Sequence, residues 1–327
     1  MSPTVSAIIP VRNGERTLAR AIDSALGQRF GGGIEVIVVD DGSTDSTADI
    51  MQSYGSRIVA LHGSWSSVSA ARNAGARVSH GDYLAFLDAD DEWMPEKVVR
   101  SVPMLEQDPD CALVYHDAIE VDREGRVLKT SYYSEGFDSV PTLEDLLSGT
   151  WRGMPILVCN VVMPRGVFDR VGGFWEDLPA CEDICMWIFA REQGPFRYIP
   201  VALARREFEF NARREQWYIE GACALDRLLR ERFGQRVAGN IPLPILTWFG
   251  TEAMLRGDRV RARSHYLAAL RLRPTRLRTW ARLIATTLPR SATEKFERTM
   301  HSRPGPRVQP AKFWNREPAV AVREELH

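Results

Sequence analysis

The chain has 327 residues, 44% of them hydrophobic and 26% charged, and a net charge of −1 at neutral pH. That is ordinary globular composition, enough for one large domain or two smaller ones with a core of useful size, and it excludes a generic polyanion binder. The charge is uneven: residues 251–310 hold 14 Lys/Arg against 4 Asp/Glu, a surplus of +10 balanced by −11 elsewhere.

In chain order, strand-like and helix-like segments alternate through the first hundred residues. "VSAIIPV" (Val5 to Val11) is a short apolar run that ends in a Pro/Asn/Gly loop, and "ERTLARAIDSALGQ" follows with Leu18, Ile22, Ala25 and Leu26 at helical spacing. "GGGIEVIVVDDGSTD" holds a buried strand from Ile34 to Val39, after which Ser43 or Thr44 is expected to cap a helix. "RIVALHG" reads as a third strand, "SVSAARNAGARV" as a small-residue helix, and "DYLAFLDADD" as a fourth strand. "PEKVVRSVPMLEQD" is a helix with Pro95 at its start. Alternation of this kind predicts an α/β fold with a mainly parallel sheet covered on both faces. Ligands in such sheets bind beyond the carboxyl ends of the strands, where Asp40/Asp41 and Asp88/Asp90/Asp91 stand.

The middle of the chain reads differently. "CALVYHDAIEVD", "REGR" and "VLKTSYY" form a hairpin pattern, "ILVCNVVMP" a strand, "GVFDRVGGF" and "CEDICMWIFAREQG" a short and a longer helix, and "FRYIPVALARREFEF" a strand. After Arg213 the pattern is helical, with a turn at Gly257-Asp258 and a break at Pro274. This resembles one tetratricopeptide-type hairpin, and no second copy follows at that period. The expected organisation is a first unit over 1–212, with halves of about 1–100 and 101–212, a helical region over 213–300, and a loose tail over 301–327. The five cysteines (Cys111, Cys159, Cys181, Cys185, Cys223) form no C-x-x-C, so a reducing compartment fits better than a disulfide framework. With no signal peptide visible and no apolar run near the roughly 18–20 residues of a membrane helix, a cytoplasmic chain is expected.

The acidic segments carry the chemistry. In an extended segment Asp88 and Asp90 would point to one side, about 6–7 Å apart, and Asp91 to the other. Two carboxylates so placed can share Mg²⁺, which takes one or two carboxylates plus phosphate oxygens. Alone, D-x-D-D is more often a solvated strand end. "DDGSTD" alone could be an Asx-turn and helix cap. Arg72 in "SAARNAG" could meet a phosphate or only a structural partner. Glu182 and Asp183 at a helix start suit the dipole without any catalysis.

Together, in this order, "VSAIIPVRNGERTLARAIDSALGQ", "IEVIVVDDGSTDST", "SAARNAGARVSHGDYLAFLDADDEWMPEKV" and "VFDRVGGFWEDLPACEDICMWIFA" resemble the inverting family 2 glycosyltransferases of the GT-A fold, over about residues 4–200. The resemblance implies that Pro10, Arg12, Glu15, Asp40 and Asp41 hold the nucleotide of a nucleotide-sugar donor, and that Arg72 lies near its diphosphate. It implies that Asp88 and Asp90 are the D-x-D acids, with Asp90 as direct ligand of Mg²⁺ or Mn²⁺. It also implies that Asp183 is the catalytic base, supported by Glu182. Trp175 follows "GGF" where relatives often carry an acid, and it is the candidate on the acceptor side, ahead of Trp151 and Trp187. Arg12 stands where relatives often place an aromatic residue, and "GSWSSV" lacks a glycine common before "SAARNAG".

The implied reaction moves a sugar, by expectation from a UDP-sugar, to a hydroxyl of a glycan, lipid-linked or small-molecule acceptor. A sugar-nucleotide pyrophosphorylase is the alternative enzyme, but "PVRNGERT" lacks its Gly-rich loop and lysine. A dehydrogenase fails because "GGG" precedes its strand. A degenerate sugar-nucleotide or partner binder is the non-enzyme alternative. The basic helices carry Arg259, Arg261, Arg263, Arg271, Arg273, Arg276, Arg278 and Arg282 and have three readings: a solvated face, peripheral contact with anionic lipid at the inner face of the plasma membrane, or a partner protein. No nucleic-acid motif accompanies the charge.

Overall fold

A computed structural model gives the architecture; it describes residues 4–131, 140–148, 156–208, 212–234, 237 and 241–288. Trp151 and the tail over 301–327 lie outside the described residues. Nine strands form one sheet among the described residues. Its first part is parallel: β3 (Val59–Gly63), β2 (Gly33–Asp41), β1 (Thr4–Val11) and β4 (Tyr83–Phe86) lie side by side in that order. The sheet then becomes mixed. β8 (Val161–Pro164) runs antiparallel between β4 and β6 (Leu113–Val121), and β6 pairs in parallel with β9 (Phe196–Glu207). β7 (Val127–Lys129) closes the expected hairpin on β6, and β5 (Glu92–Trp93) pairs antiparallel with β9.

Side chains alternate across the sheet and feed two cores. Val5, Ala7, Ile9, Val36 and Val38 face one layer. There α1 (Leu18–Leu26) buries Leu18, Ala21, Ile22 and Ala25, the i, i+3, i+4, i+7 stripe of its sequence. Met51 of α2 (Thr47–Tyr54) and Val98 and Val102 of α4 (Lys97–Gln107) complete that layer. Ile8, Ile37, Val39, Leu84 and Phe86 face the other, against α3 (Val68–Val78) and α7 (Glu182–Gln193). Leu225 and Leu229 of α8 (Ala212–Phe233) and Ile245 and Phe249 of α9 (Pro242–Leu255) join this same core. Helices α10 (Arg259–Leu272) and α11 (Leu277–Ala285) follow, and the Asp258 carboxylate caps α10 by accepting from the Arg261 amide at 3.0 Å.

Two local expectations are corrected. The helix after β2 starts at Thr47, not beside Ser43 or Thr44. The Ser43 hydroxyl instead accepts from the Asn13 amide (2.8 Å), and the Thr44 amide donates to Asn13 Oδ1 (2.9 Å), so both residues tie two loops together. The apolar run "ILVCNVVMP" is strand only from Val161; Val158–Asn160 is a single 3-10 turn.

Candidate active site

The site lies where β1, β2 and β4 end. Register sets Pro10 beside Val39 and Val11 beside Asp40, so the loop after β1 and the "DDGSTD" loop leave the sheet together. Asn13, in the left-handed region at φ 55°, turns the first loop back across the second, and the Glu15 amide donates to Asp45 (3.0 Å). Asp40 is buried: one oxygen accepts from the Ser43 amide (2.9 Å) and the other sits 3.2 Å from His62 Nδ1 on the adjacent strand. Asp41 accepts from the Trp65 and Ser66 amides, at 2.5 and 3.2 Å. Pro10 is buried, while Arg12 and Glu15 are exposed at the rim.

The acidic segment is a turn. β4 ends at Phe86, and the Asp91 amide donates back to the Asp88 carbonyl at 3.0 Å. Strand alternation therefore lapses, and Asp91 does not point away from its neighbours as an extended segment would require. One carboxylate oxygen from each of Asp88, Asp90 and Asp91 lies within 4.8 Å of the others. Asp91 is buried and accepts from the Glu207 amide (3.0 Å), so it fixes the turn to the end of β9. Burial, then the charges of Asp90 and Asp88, push its carboxyl well above the usual range. An all-oxygen set of this kind suits a hard divalent cation, so these residues fit Mg²⁺ or Mn²⁺.

Arg72 joins this turn to the second acidic pair. It is 3% exposed on α3. One guanidinium nitrogen donates to Asp88 Oδ1 and another to Glu182 Oε1, each at 2.7 Å, and the group lies 5.2 Å from the centre of the Phe174 ring. Burial works against its charge, but Asp88 and Glu182 outweigh that, and its pKa rises above that of free arginine. The next residue, Asn73, clamps the "GGF" loop: its amide group donates to the Phe174 carbonyl (2.8 Å) and Glu176 (2.9 Å), and its oxygen accepts from the Phe174 amide (2.8 Å). Gly173, at φ +88°, allows this, since a Cβ there would stand 2.7 Å from Asn73 Oδ1.

Glu182 and Asp183 open α7. Cys181 before them holds a left-handed conformation (φ 64°, ψ 21°), rare for a residue with a Cβ, which turns the chain sharply into the helix. The Ile184 amide donates to Asp183 Oδ1 at 2.7 Å. Burial first, and the neighbouring Glu182 charge second, push the Asp183 carboxyl up to about 7.

Arg72, Asp88, Asp90, Asp91, Glu182 and Asp183 line one cleft. Pro10, Arg12, Glu15, Asp40 and Asp41 lie beyond it, at the ends of β1 and β2. Trp175 does not line the cleft; it stacks on Phe189 (centroids 6.1 Å, 13° between planes). Trp187 is core, donating from Nε1 to the Ile156 carbonyl at 2.8 Å. The cleft takes further residues that the motifs did not indicate: Cys159, Arg206 and Glu207, and Trp217 and Tyr218 of α8. The charges at the carboxyl end of β9 were the available signal for Arg206 and Glu207.

A family model, Glycosyl transferase family 2, matches residues 6–175, more than half of the chain. An uncharacterized glycosyltransferase of Rickettsia prowazekii (strain Madrid E) is 34% identical over 194 residues, covering 57% of this chain and 58% of that protein. A chondroitin synthase of Escherichia coli is 28% identical over 200 residues, 60% of this chain and 28% of the synthase. The chain thus spans less than two thirds of the length of these relatives. Among solved structures, S. aureus TarS 1-349 in complex with UDP superposes with a TM-score of 0.59 at 17% identity, covering 92% of this chain and 93% of that one. The mannosyltransferase PcManGT from Pyrobaculum calidifontis, in complex with GDP-Man and Mn²⁺, gives 0.55 at 17% identity, covering 91% and 88%. The fold is GT-A, and the chain belongs to glycosyl transferase family 2.

Proposed function

We propose that this family 2 glycosyltransferase moves a hexose from a nucleotide diphosphate sugar to an acceptor hydroxyl with inversion. The observation that carries the reading is the buried guanidinium of Arg72, held between Asp88 of the acidic turn and Glu182 beside Asp183. It joins two carboxylate groups that such a reaction uses for different tasks.

Asp183 is the general base. As the acceptor oxygen attacks the anomeric carbon its proton passes to the Asp183 carboxylate, a contribution of typically 10²–10⁴-fold. Attack opposite the leaving diphosphate needs no enzyme nucleophile and inverts the centre. Glu182 raises the basicity of Asp183 and holds Arg72. Arg72 sets positive charge beside the acidic turn, where charge builds on the diphosphate. Asp90 and Asp88 are the residues that would hold Mg²⁺ or Mn²⁺, which when bound supplies Lewis-acid stabilisation of that leaving group. Pro10, Arg12, Glu15, Asp40 and Asp41 receive the nucleotide. UDP-sugars are the first donors to test, because TarS binds UDP and UDP-GlcNAc in its structures, and GDP-sugars the second, because the archaeal mannosyltransferase binds GDP-Man. The acceptor is a glycan, a lipid-linked sugar or a small molecule.

The test is binding and turnover with UDP-, GDP- and dTDP-sugars. Donor binding is expected with Mn²⁺, to vanish on chelation, and to return when metal is restored. Asp183→Asn is expected to lower transfer at least about 10²-fold while donor binding persists. Absence of metal-dependent binding for all three donors overturns the donor site, and equal loss of binding and transfer in Asp183→Asn overturns the base.

A further inference from the structure

The acidic turn is held in place by two side chains that the sequence motifs gave no role. From one side Arg20 of α1 reaches it. A terminal guanidinium nitrogen of Arg20 donates to the Asp90 carbonyl at 2.7 Å and stands 3.5 Å from Glu207 Oε2, and its Nε lies 3.9 Å from Glu92 Oε2. From the other side the Glu207 amide, at the end of β9, donates to the Asp91 carboxylate at 3.0 Å. Arg16, four residues before Arg20, pairs with the other Glu207 oxygen. These contacts close a ring. It runs from Arg20 to the Asp90 carbonyl, along the chain to Asp91, across to Glu207 and back to Arg20.

Glu207 is 7% exposed. A carboxylate so deeply buried is costly unless it is paired, and Arg16 and Arg20 supply the pairing. The ring also opposes a repulsion within the turn. Asp88, Asp90 and Asp91 bring oxygens within 4.8 Å of one another, and like charges that close push apart until a cation joins them. The Arg20 bond to the Asp90 carbonyl and the Asp91 bond to the Glu207 amide limit how far those two residues can swing. Arginine suits the task because its planar fork carries several donors, whereas lysine keeps the charge without the fork. We infer that Arg20, acting with Glu207, is a positioning residue that holds Asp90 and Asp91 in the arrangement that takes the divalent cation before the cation binds. The inference rests on the reading of the acidic turn as the metal site, and it adds which residues outside the turn prepare that site.

Charge and position make opposite predictions for Arg20→Met. A positive group near the site repels a metal ion, so if charge is all that Arg20 supplies, its loss tightens metal binding. Loss of positioning weakens it. Arg20→Lys keeps the charge and loses the fork, so charge alone predicts no change there and positioning again predicts weakening. The experiment is titration of the full chain with Mn²⁺, alone and with UDP, followed through the electron paramagnetic resonance signal of the free ion. Arg20→Met is expected to raise the Mn²⁺ dissociation constant about tenfold, the scale of groups that orient metal ligands, and Arg20→Lys to raise it as well. Arg29→Met removes a different pair at the end of the same helix, with Glu96 at 3.1 Å, and is expected to leave Mn²⁺ binding unchanged. Because Arg20 is partly exposed, the metal-free melting temperature of each variant is expected to stay within about 2 °C of wild type. In transfer assays Arg20→Met is expected to need about tenfold more Mn²⁺ for half-maximal rate, with kcat at saturating Mn²⁺ near wild type. Unchanged or tighter Mn²⁺ binding in Arg20→Met overturns the positioning role and leaves the metal site standing. If Arg20→Met melts low or fails to fold, Arg20→Lys decides: wild-type Mn²⁺ affinity in that variant overturns the role, and weaker binding at an unchanged melting temperature supports it. A wild-type chain that takes up no Mn²⁺, with or without UDP, overturns the metal site and the positioning role together.

Discussion

As the proposed general base, Asp183 meets two opposing demands. A base must be ionised at working pH, yet burial and Glu182 hold this carboxyl up to about 7 from an ordinary 3.8. The sign follows directly. The folded chain binds this proton more tightly than the unfolded chain, so stability declines as pH rises from about 4 to about 7 and stays lower above that. Asp183→Asn cannot ionise, so its melting temperature is expected to exceed wild type at pH 8 and to match it below about pH 4. The wild-type kcat/KM is expected to rise through a limb near pH 7, because only the ionised form accepts a proton. Arg72 lowers the Asp183 pKa, so Arg72→Met is expected to move that limb to higher pH besides slowing transfer; an unmoved limb in the pH–rate profile counts against the coupling. At this scale the sequence was informative where motifs are contiguous. Asp88, Asp90, Glu182 and Asp183 stand in short segments at a strand or helix end and Arg72 in a short segment inside α3, and the fold brings all five to one cleft. Asp91 was misread because the alternation rule needs an extended chain, and the chain turns after Phe86.

Among the elements, α3 decides how well the site is set. Its small residues let it lie unusually close to the sheet: a Cβ on Gly75 would stand 2.6 Å from Ile8 Cγ2 and 3.1 Å from Val39 Cγ2, both fully buried. That depth lets Arg72, one turn earlier, reach across to Asp88 and Glu182. Gly75→Ala gains about 1 kcal/mol of helix propensity, but overpacking a rigid core typically costs about 1–3 kcal/mol. The expected net effect is a destabilisation of up to about 2 kcal/mol, read as a lower urea midpoint, together with weaker transfer as α3 lifts. A midpoint at or above wild type sinks this account. The helical period and the small residues of α3 are both visible in "SAARNAG". The reversal at β8 and the 3-10 turn at Val158–Asn160 are not. The Cys159 carbonyl accepts from Trp93 Nε1 (2.9 Å) and Lys97 Nζ (3.1 Å), residues more than sixty positions away, and no local pattern encodes such partners.

For the whole molecule, the question is whether the helices after Phe208 are an appendage. The sequence draws a boundary near residue 212, where the pattern turns helical. The packing crosses it. Gly221 of α8 sits against Ala180, where a Cβ would come within 2.6 Å of the carbonyl oxygen, and Phe233 packs on Phe189 of α7 with ring centroids 5.8 Å apart. Leu225, Leu229, Ile245 and Phe249 are buried in the same core as Ile184 and Trp187. At about 1.5–3 kcal/mol for each buried side chain, those four alone contribute an amount comparable with the whole stability of a typical domain, about 5–15 kcal/mol. The same helices bring Trp217 and Tyr218 to the cleft wall beside Asp183. A chain ending at Phe208 is therefore expected to show no cooperative thermal transition and no donor binding, and the full chain a single transition. If the shortened chain melts cooperatively near the wild-type temperature and binds donor, the boundary near 212 separates two independent units, and the shared core is not what holds the active site in place.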